Sequence, residues 1–325
     1  MLADQQAPEA DVLLITGGMG FIGLHTARRF LDAGQEVVLT QFKVRREPGF
    51  LPELRGGSAH VELLDVADPE AMRQVVGRYS VSGIIHLAVP GLGALGPADD
   101  YRTNTTALLN VLEAARQARV RRVTIASSIA VYRGLPRGPY REQARLPLPS
   151  GNPTEAFKKA EEVLGSHYAD RTGLDIAFAR IGGAYGPLYH SMANLPSRLC
   201  HAAVKGEQPN LSSRGGGVAL ADDESDLVYI KDCAAGLFLL HTADRLRHRV
   251  YNIGGGRAVT NRELAAAVSE VTGLAVEFPA GRGRRSWKNG YLDLTRSRRD
   301  LGYEPEYDVR RGVAEYVEWL RANPE

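Results

Sequence analysis

The chain has 325 residues, 44% hydrophobic and 24% charged, a composition typical of a soluble enzyme with one large domain or one large and one smaller domain. Its net charge of +2 argues against nucleic acid and membrane surfaces as partners, and two cysteines are too few for a disulfide framework, which favours a cytoplasmic protein. Residues 1–10 lack the apolar core of a signal peptide, no apolar run is long enough to span a membrane, and no residue pattern predicts a metal site.

The first predicted elements are a strand, a glycine-rich turn and a helix. Residues 12–15 form a short apolar run rich in β-formers, and an amphipathic helix is predicted over Phe21–Leu31. Glycines permit a tight turn and a close approach of the backbone to a pyrophosphate, whose charge the helix N-terminus favours. The spacing alone also fits an ordinary tight turn, but the strand before it and the helix after it favour a dinucleotide site. The residues predicted to bind the dinucleotide here are Gly17, Gly20, Phe21, Ile22 and Gly23.

The end of the second predicted strand, residues 36–40, bears on the choice of cofactor. Gln41 follows this strand, where NAD-binding folds usually place an acid for the ribose hydroxyls. The basic residues Lys43, Arg45 and Arg46 come next. Because an acid would repel a 2′-phosphate and cations attract it, the sequence favours NADP over NAD. The alternative is a solvated loop with scattered charges.

The next segments alternate between strands and helices. Strands are predicted over residues 60–65, 83–88 and 123–128, and helices over Pro69–Arg78 and 101–119. The continuous apolar run of the fourth strand is typical of a sheet that is covered on both faces. This alternation predicts a doubly wound parallel sheet.

Further cofactor contacts are predicted where these strands end. Asp65 ends the third strand and is placed to hydrogen-bond an adenine, with Val66 beside it. Leu87 and Ala88 lead into a loop that would lie along the cofactor's phosphates. Asn104, near the start of the following helix, is predicted to brace the backbone of the site.

Motifs of one enzyme family follow in order along nearly the whole chain. They are TGGMGFIG (16–23), LLDVAD (63–68), IIHLA (84–88), NTTALLNVLEAAR (104–116), ASSIAVY (126–132), ARIGGAYGP (179–187), SDLVYIKDCA (225–234), VYNIGGG (250–256) and LDLTRSRRDLGYEP (292–305). The chain resembles the NAD-dependent epimerase/dehydratase family of extended short-chain dehydrogenases/reductases.

This resemblance implies an α/β fold, a Rossmann-like doubly wound parallel sheet with a smaller C-terminal substrate domain. The dinucleotide-binding domain would span residues 8–188, with segments near 226–256 returning to it, and the substrate domain would span mainly 189–325. The resemblance also implies an NAD or NADP cofactor, with Ile181 among the residues that bind it. A homodimer would form through the helices over 101–119 and Pro153–Thr172.

The family's reaction depends on a serine or threonine, a tyrosine, and a lysine four residues after that tyrosine. Ser128 matches the first of these, at the end of the fifth strand. When the next helix is aligned on Pro153, Phe157 falls on the tyrosine and Glu161 on the lysine. This i, i+4 pair shares one helix face, which predicts a double replacement at the reacting centre. Glutamate would accept hydrogen bonds from ribose hydroxyls but could not lower a phenol's pKa as a cation does.

Other side chains are then needed to supply the proton. Tyr132 has a phenol just beyond Ser128, although in relatives it mostly lines the substrate pocket. His190, in the loop after the sixth strand, would titrate near neutrality. We rank these two first, because Lys158 or Lys159 could serve only if the helix frame were shifted. For both lysines we favour a solvated helix face.

The substrate contacts are less clearly indicated. Asn194 opens a predicted helix to residue 205, where nucleotide-sugar enzymes hold a diphosphate, but Ser225 stands where they usually carry an arginine. Arg282, Arg284 and Arg285 could supply another arginine or could form a solvated basic loop. The residues predicted to contact the substrate are Ser127, Asn194 and Arg282.

Three functions are compatible with these features. The first is an NAD(P)-dependent oxidoreductase or epimerase acting on a carbinol or carbonyl carbon of a sugar or nucleotide-sugar-like substrate, with a non-standard proton donor. The second is a reductase of a non-sugar ketone, aromatic or polyketide-like. The third is a dinucleotide sensor that binds the cofactor through the glycine turn but has lost catalytic activity. The intact Ser128 and Asn104 argue against this third function.

Overall fold

The computed structural model describes residues 11–43, 49–54, 56–212, 217–283 and 288–323. They form two compact units. The first contains the chain up to Ala126 together with Ala160–Ala177, and the second contains Ser127–Lys159 together with the chain from Phe178 onward. The division at residue 188 into a dinucleotide-binding and a substrate domain stays a prediction.

The first half of the chain alternates strands and helices. Its elements are β1 (Val12–Thr16), α1 (Phe21–Leu31), β2 (Val37–Gln41), β3 (Ala59–Leu63), α2 (Pro69–Arg78), β4 (Val81–His86), α3 (Pro97–Gln117) and β5 (Arg122–Ser128). The later elements are α4 (Pro153–Thr172), β6 (Ile176–Ile181), β7 (Gly183–Tyr185), α5 (Leu195–Lys205), β8 (Glu224–Ser225), β9 (Leu227–Tyr229), α6 (Ile230–Thr242), β10 (Val250–Ile253), β11 (Val259–Thr260), α7 (Asn261–Thr272), α8 (Thr295–Leu301) and α9 (Val309–Ala322).

The chain has a seven-stranded sheet in the order β10-β6-β5-β4-β1-β2-β3, a Rossmann-like α/β arrangement. β1 pairs in parallel with β2 on one side and β4 on the other, so the chain changes direction across the sheet at this strand. In open parallel sheets, such a switch point makes a crevice at the carboxyl ends of the strands. All five residues of β1 are buried, which fixes the turn that follows it.

Several predicted boundaries differ from those of the structure. β3 ends at Leu63, so Asp65 lies in the turn before α2, where its Oδ1 accepts a hydrogen bond from the Ala67 N–H. β4 ends at His86, so Leu87 and Ala88 belong to the following loop. α3 begins at Pro97 rather than at residue 101, because proline is compatible with the first turn of a helix.

A buried carboxylate connects three segments of the second unit. Asp226 accepts hydrogen bonds from the Gly255 N–H on Oδ1 and from the Leu292 N–H on Oδ2, both at 2.7 Å. Burial raises the pKa of this carboxyl to about 6. The two N–H donors oppose this rise, because they stabilise the charged form.

Helix α9 packs closely on two tyrosines of the second unit. A Cβ atom at Gly312 would lie 2.1 Å from the Tyr185 hydroxyl oxygen and 3.0 Å from Cδ2 of Tyr229. Both tyrosine rings are buried and meet edge to face with centroids 5.5 Å apart. Glycine at residue 312 is therefore required by space and not by backbone conformation.

In the described ranges, the structure contains no helix with the length and apolar character needed to cross a membrane.

Candidate active site

The turn between β1 and α1 is built so that only glycine fits at key positions. Gly17 has a φ of +67°, and a Cβ atom there would lie 3.0 Å from the Ala88 backbone nitrogen. At Gly23, a Cβ atom would lie 2.5 Å from the carbonyl oxygen of Gly18. Gly20 differs, because its φ is −84° and a Cβ atom there would meet only the Gly17 carbonyl oxygen, at 3.1 Å, among the described residues. Of these three glycines, Gly20 therefore has the fewest atoms close to its Cβ position.

The N-terminus of α1 follows this turn, and no side chain of the helix's first turn neutralises the partial positive charge of the first N–H groups. Gly20 is the N-cap and has no side chain to accept from the first N–H groups, and the first turn contains no acid. Uncapped N–H groups and the helix dipole favour an anion at this end of the helix. The first turn comprises Phe21, Ile22 and Gly23, as predicted for a pyrophosphate site.

Side chains at the ends of β1, β2 and β4 form hydrogen bonds that fix the glycine turn. Thr16 Oγ1 lies 2.7 Å from Nδ1 of the buried His86, and 3.5 Å from the Ala88 N–H, which donates to it. The Gly17 N–H donates to Thr40 Oγ1 at 3.0 Å. The glycine turn and the start of the loop after β4 are thus held together.

Two side chains of α3 hold the remainder of that loop. Asp100 is only 3% exposed and accepts hydrogen bonds from the N–H groups of Gly93 and Leu95, at 3.0 and 3.1 Å. Asn104 Nδ2 donates to the Pro90 carbonyl at 3.0 Å and to the Asp100 carbonyl at 2.8 Å. Asn104 therefore braces loop backbone, which is the structural part of its predicted role.

The predicted adenosine contacts lie at the ends of β2 and β3. Gln41 is half-buried and pairs with Leu63 in the sheet, and the next residue, Phe42, has an exposed ring. Lys43 Nζ lies 4.8 Å from the centroid of that ring. Asp65 is exposed after β3, followed by the buried Val66. Arg45 and Arg46 lie outside the described residues, as do Arg284 and Arg285.

In the second unit, Ser128 ends β5 and begins a short 3₁₀ turn over Ile129–Tyr132. Its Oγ accepts a hydrogen bond from the Ala130 N–H at 3.1 Å, and the residue is half-buried, whereas Ser127 is buried. Ile181, predicted as a cofactor contact, is buried in β6 beside Ile253.

Tyr132 is fully buried in a polar network. Its hydroxyl donates to Asn252 Oδ1 at 2.9 Å and accepts from Arg180 Nη1 at 2.8 Å. Its ring stacks on Tyr140 with centroids 5.1 Å apart. That Tyr132 supplies the proton stays a prediction; in this structure its hydroxyl donates to Asn252 and the ring has no accessible surface. The partners could not be predicted from the sequence, since Asn252 lies 120 residues away.

Helix α4 buries side chains that were expected to meet ligands. Phe157 is 2% exposed and Glu161 0%, so neither offers surface to a cofactor or substrate. Their predicted roles at the reacting centre stay predictions. Lys158, expected on a solvated face, is only 7% exposed, and its Nζ lies 5.9 Å from the Phe157 ring centroid. Lys159 instead donates to the Pro149 carbonyl at 2.9 Å.

The predicted substrate residues of the second unit have structural partners. Asn194 is the N-cap of α5, where its Oδ1 accepts from the Ser197 N–H at 2.8 Å and its Nδ2 donates to the Ala184 carbonyl at 3.0 Å. Arg282 forms an ion pair with Glu224 at 2.6 Å. His190 is exposed in the loop after β7. A cavity of about 190 Å³ is lined by Gly183, Asn194, Leu195, Pro196, Ser225, Leu227, Val259, Thr260, Asn261 and Leu264.

Comparison with known proteins gives the family. A model of the NAD dependent epimerase/dehydratase family matches residues 13–254. The dTDP-glucose 4,6-dehydratase of Streptomyces griseus is 29% identical over 319 residues, covering 94% of this chain and 93% of that protein. The UDP-glucose 4-epimerase of Neisseria gonorrhoeae is 28% identical over 337 residues, covering 96% and 98%. The chain belongs to the NAD-dependent epimerase/dehydratase family.

A solved structure of the family has the same fold. The UDP-glucose 4-epimerase of Thermus thermophilus, in complex with NAD, is 27% identical, with a TM-score of 0.78 over 96% of this chain and 99% of that chain. The predicted fold class and the prediction of a nicotinamide-dependent enzyme are confirmed.

The glycine turn of this epimerase/dehydratase family member fits a dinucleotide. A Cβ atom would meet several backbone atoms at Gly17 and Gly23 but only the Gly17 carbonyl oxygen, at 3.1 Å, at Gly20 among the described residues, and the uncapped N-terminus of α1 follows at once. The residues that would hold the pyrophosphate are thus backbone groups of the turn and of the first helical turn.

Replacing Gly20 with valine should abolish dinucleotide binding while leaving the fold intact. The new side chain would fill the space beside the turn, and the φ of −84° is one that valine adopts, while the Gly17 carbonyl oxygen, 3.1 Å from the new Cβ atom, would have to shift slightly. Titration with NAD and NADP measures the loss. Gly77→Val is the matched control, because a Cβ atom at this helical glycine meets nothing within 4 Å in the described chain. Unchanged affinity in Gly20→Val would show that this turn does not bind the pyrophosphate.

Replacing Tyr132 with phenylalanine should destabilise the protein rather than remove a catalytic group. The change deletes one buried hydrogen bond to Asn252 and one from Arg180, at a cost of about 1–3 kcal/mol in the free energy of unfolding. Urea unfolding measures this cost, with the exposed Tyr101→Phe as control. A fall in turnover of 10²-fold or more without loss of stability, the size typical of a lost acid/base, would restore the catalytic interpretation.

Proposed function

We propose that this chain is an NAD(P)-dependent epimerase or dehydratase that acts on a carbinol carbon of a sugar, presented as a nucleotide sugar. The observation that carries the proposal is the glycine turn before the uncapped N-terminus of α1, in a chain that matches the family over residues 13–254. The relatives named as acting on UDP-glucose and dTDP-glucose are matched over nearly their whole length, which supports the same substrate class here.

The bound cofactor would accept and return a hydride. For the adenosine ribose we infer a preference for NADP over NAD. Gln41 brings no carboxylate to the end of β2, and Lys43 provides a cation two residues later. A 2′-phosphate would therefore meet no repulsion from Gln41 and would be attracted by Lys43.

We infer that the family's tyrosine and lysine positions lie three residues earlier on α4 than the alignment on Phe157 places them. We call each such assignment of the two positions a frame. Lys158 retains accessible surface at 7%, whereas Glu161 has none, so Lys158 is better suited to the position of the family's lysine. The residue four positions before Lys158 is Thr154, which then occupies the tyrosine position and is exposed at the start of the helix. In this frame the lysine is retained and only the tyrosine is replaced.

In this frame, different side chains would transfer the substrate's proton. A threonine hydroxyl can donate and accept hydrogen bonds but does not titrate as a phenol does near pH 10. Thr154 and Ser128 would orient the substrate's carbinol, and Lys158 would supply positive charge. His190 remains our candidate for the proton donor, because its side chain is exposed in the loop after β7 and an imidazole can carry a proton on either ring nitrogen.

Mass spectrometry of the purified protein tests the proposal first, by identifying any nicotinamide nucleotide that it retains. Incubation with UDP-glucose and dTDP-glucose, followed by NMR of the sugar protons, then detects a 4-epimer or a 4-keto-6-deoxy product. We expect a bound or titratable nucleotide and turnover of one of these sugars. Turnover of ketones alone would indicate the reductase, and tight nucleotide binding with no turnover of either would indicate the sensor.

We also propose a homodimer formed through α3 and α4. Leu109 on α3 and Val163 and Leu164 on α4 are exposed apolar residues of the first unit, where the Tyr168 hydroxyl links the two helices by donating to Glu113. Covering such residues favours association. Light scattering should give a dimer for the wild type and a monomer for Val163→Lys, with the exposed Leu148→Lys unchanged. A monomeric wild type would contradict this proposal.

A further inference from the structure

The loop between β4 and α3, residues 87–96, leaves the sheet next to the glycine turn. Its first residue, Leu87, donates its N–H to the Thr16 carbonyl at 3.1 Å. The next, Ala88, has its backbone nitrogen 3.0 Å from where a Cβ atom of Gly17 would lie. The loop therefore continues the surface that the glycine turn offers to a dinucleotide.

The sheet order indicates which half of a dinucleotide this loop would meet. β4 lies on one side of β1, and β2 and β3 lie on the other. Gln41 and Asp65, at the ends of β2 and β3, are the predicted adenosine contacts. The loop after β4 therefore lies on the side away from the adenosine, next to the pyrophosphate and the nicotinamide half.

A single carboxylate determines the shape of the loop's far part. Asp100 uses both oxygens, since Oδ2 accepts from the Gly93 N–H and Oδ1 from the Leu95 N–H. Gly91 and Gly93 have φ values of +59° and +82°, in the left-handed region, so the backbone between the strand and the helix is sharply folded. Bonds from N–H groups to an ionised acceptor are stronger than neutral ones, and they are well suited to hold such a fold.

We propose that Asp100 is a positioning residue that preforms this loop for the nicotinamide half of the cofactor. The inference rests on the proposed function, in which the glycine turn binds a nicotinamide dinucleotide. Without the carboxylate, the loop would sample conformations that do not bind. The apparent dissociation constant rises in inverse proportion to the fraction of molecules that remain competent.

Asp100→Asn tests this role with little change of shape. An asparagine keeps one acceptor oxygen but turns an amino group toward the second N–H, so one of the two loop bonds is lost. Asp99→Asn is the matched control, since Asp99 is the exposed neighbour and forms an ion pair with Arg102. Asp100→Ser is measured in parallel, so that misfolding of one variant does not decide the result.

The probes are NAD, NADP and AMP, and the second readout is hydrogen exchange at the Gly93 and Leu95 amides. We expect Asp100→Asn to weaken the preferred dinucleotide about tenfold, as when about one molecule in ten stays competent. AMP affinity should be unchanged, because AMP lacks the nicotinamide half. Exchange at the two amides should accelerate about tenfold. Asp99→Asn should match the wild type in every measurement.

Several results would overturn the inference. Equal weakening of AMP and dinucleotide would indicate general structural damage, and unchanged dinucleotide affinity with faster exchange would show that the loop does not act on binding. Weaker dinucleotide binding without faster exchange would place the effect outside the loop. If the wild type binds neither NAD nor NADP, the proposed function fails and this inference fails with it. If the wild type binds one of them and Asp100→Asn binds it equally well, only this inference fails.

Discussion

Replacing Lys158 with methionine should lower turnover of the nucleotide-sugar substrate by roughly 10²–10⁴-fold, the range typical of a lost acid/base group or its activating charge. Methionine keeps the length and the burial of the side chain and removes only the charge. Lys159→Met is the matched control, because Lys159 is the next residue but donates to the Pro149 carbonyl. NMR of the sugar protons under saturating cofactor gives both rates.

The same experiment separates the two frames of α4. If Thr154 and Lys158 hold the tyrosine and lysine positions, Thr154→Tyr should restore a titrating phenol beside a cation and add a new limb to the pH–rate profile. If Phe157 and Glu161 hold them, only the double variant Phe157→Tyr with Glu161→Lys should do so. Full activity in Lys158→Met, with loss in Lys159→Met, would contradict the frame that we propose.

Replacing Gly312 with alanine should strongly destabilise the second unit. The added Cβ atom would lie 2.1 Å from the Tyr185 hydroxyl oxygen, far inside van der Waals contact, so helix α9 or the buried ring must move. Overpacking of this kind costs typically about 1–3 kcal/mol, and this contact is short enough to expect the upper part of that range. Urea unfolding followed by circular dichroism measures the change.

A second substitution identifies the cause of this loss. Tyr185→Phe removes the nearest atom, so the double variant should recover part of the loss, while Cζ at 2.9 Å still prevents full recovery. Gly77→Ala is the control for glycine replacement within a helix, and it should stabilise by about 0.5–1 kcal/mol because its Cβ has free space. Additive costs in the double variant would show that the two residues do not compete for the same space.

Local signals in the sequence predicted the elements around the glycine turn well. The limits of α1 and α2 agree with prediction, because Gly20 precedes the first and the N-cap Asp68 followed by Pro69 marks the second. The glycine turn was predicted because its steric requirement is met within a few residues of chain. The cofactor contacts, in that turn and beyond it, remain predictions.

The second unit was harder to predict because its partners are distant in sequence. Nothing near Tyr132 indicated that Arg180 and Asn252 would bury its hydroxyl. On α4, consecutive lysines beside Phe157 and Glu161 allowed two frames, and an alignment anchored on one proline could not choose between them. Burial depends on packing that the local sequence does not encode; Lys158, Phe157 and Glu161 are all buried, and the choice of frame stays a proposal.

The buried Asp226 has a consequence for handling the protein in mild acid. Its folded pKa of about 6 exceeds the usual 3.8, so the folded chain takes up a proton that the unfolded chain still lacks between these values. The stability that this group contributes is fully present below about pH 3.8 and is lost as the pH rises through about 6. On a cation-exchange column run near pH 5, the folded state should therefore be more stable against unfolding than in neutral buffer, even though protonation weakens the two hydrogen bonds that the Asp226 carboxylate accepts from residues 255 and 292.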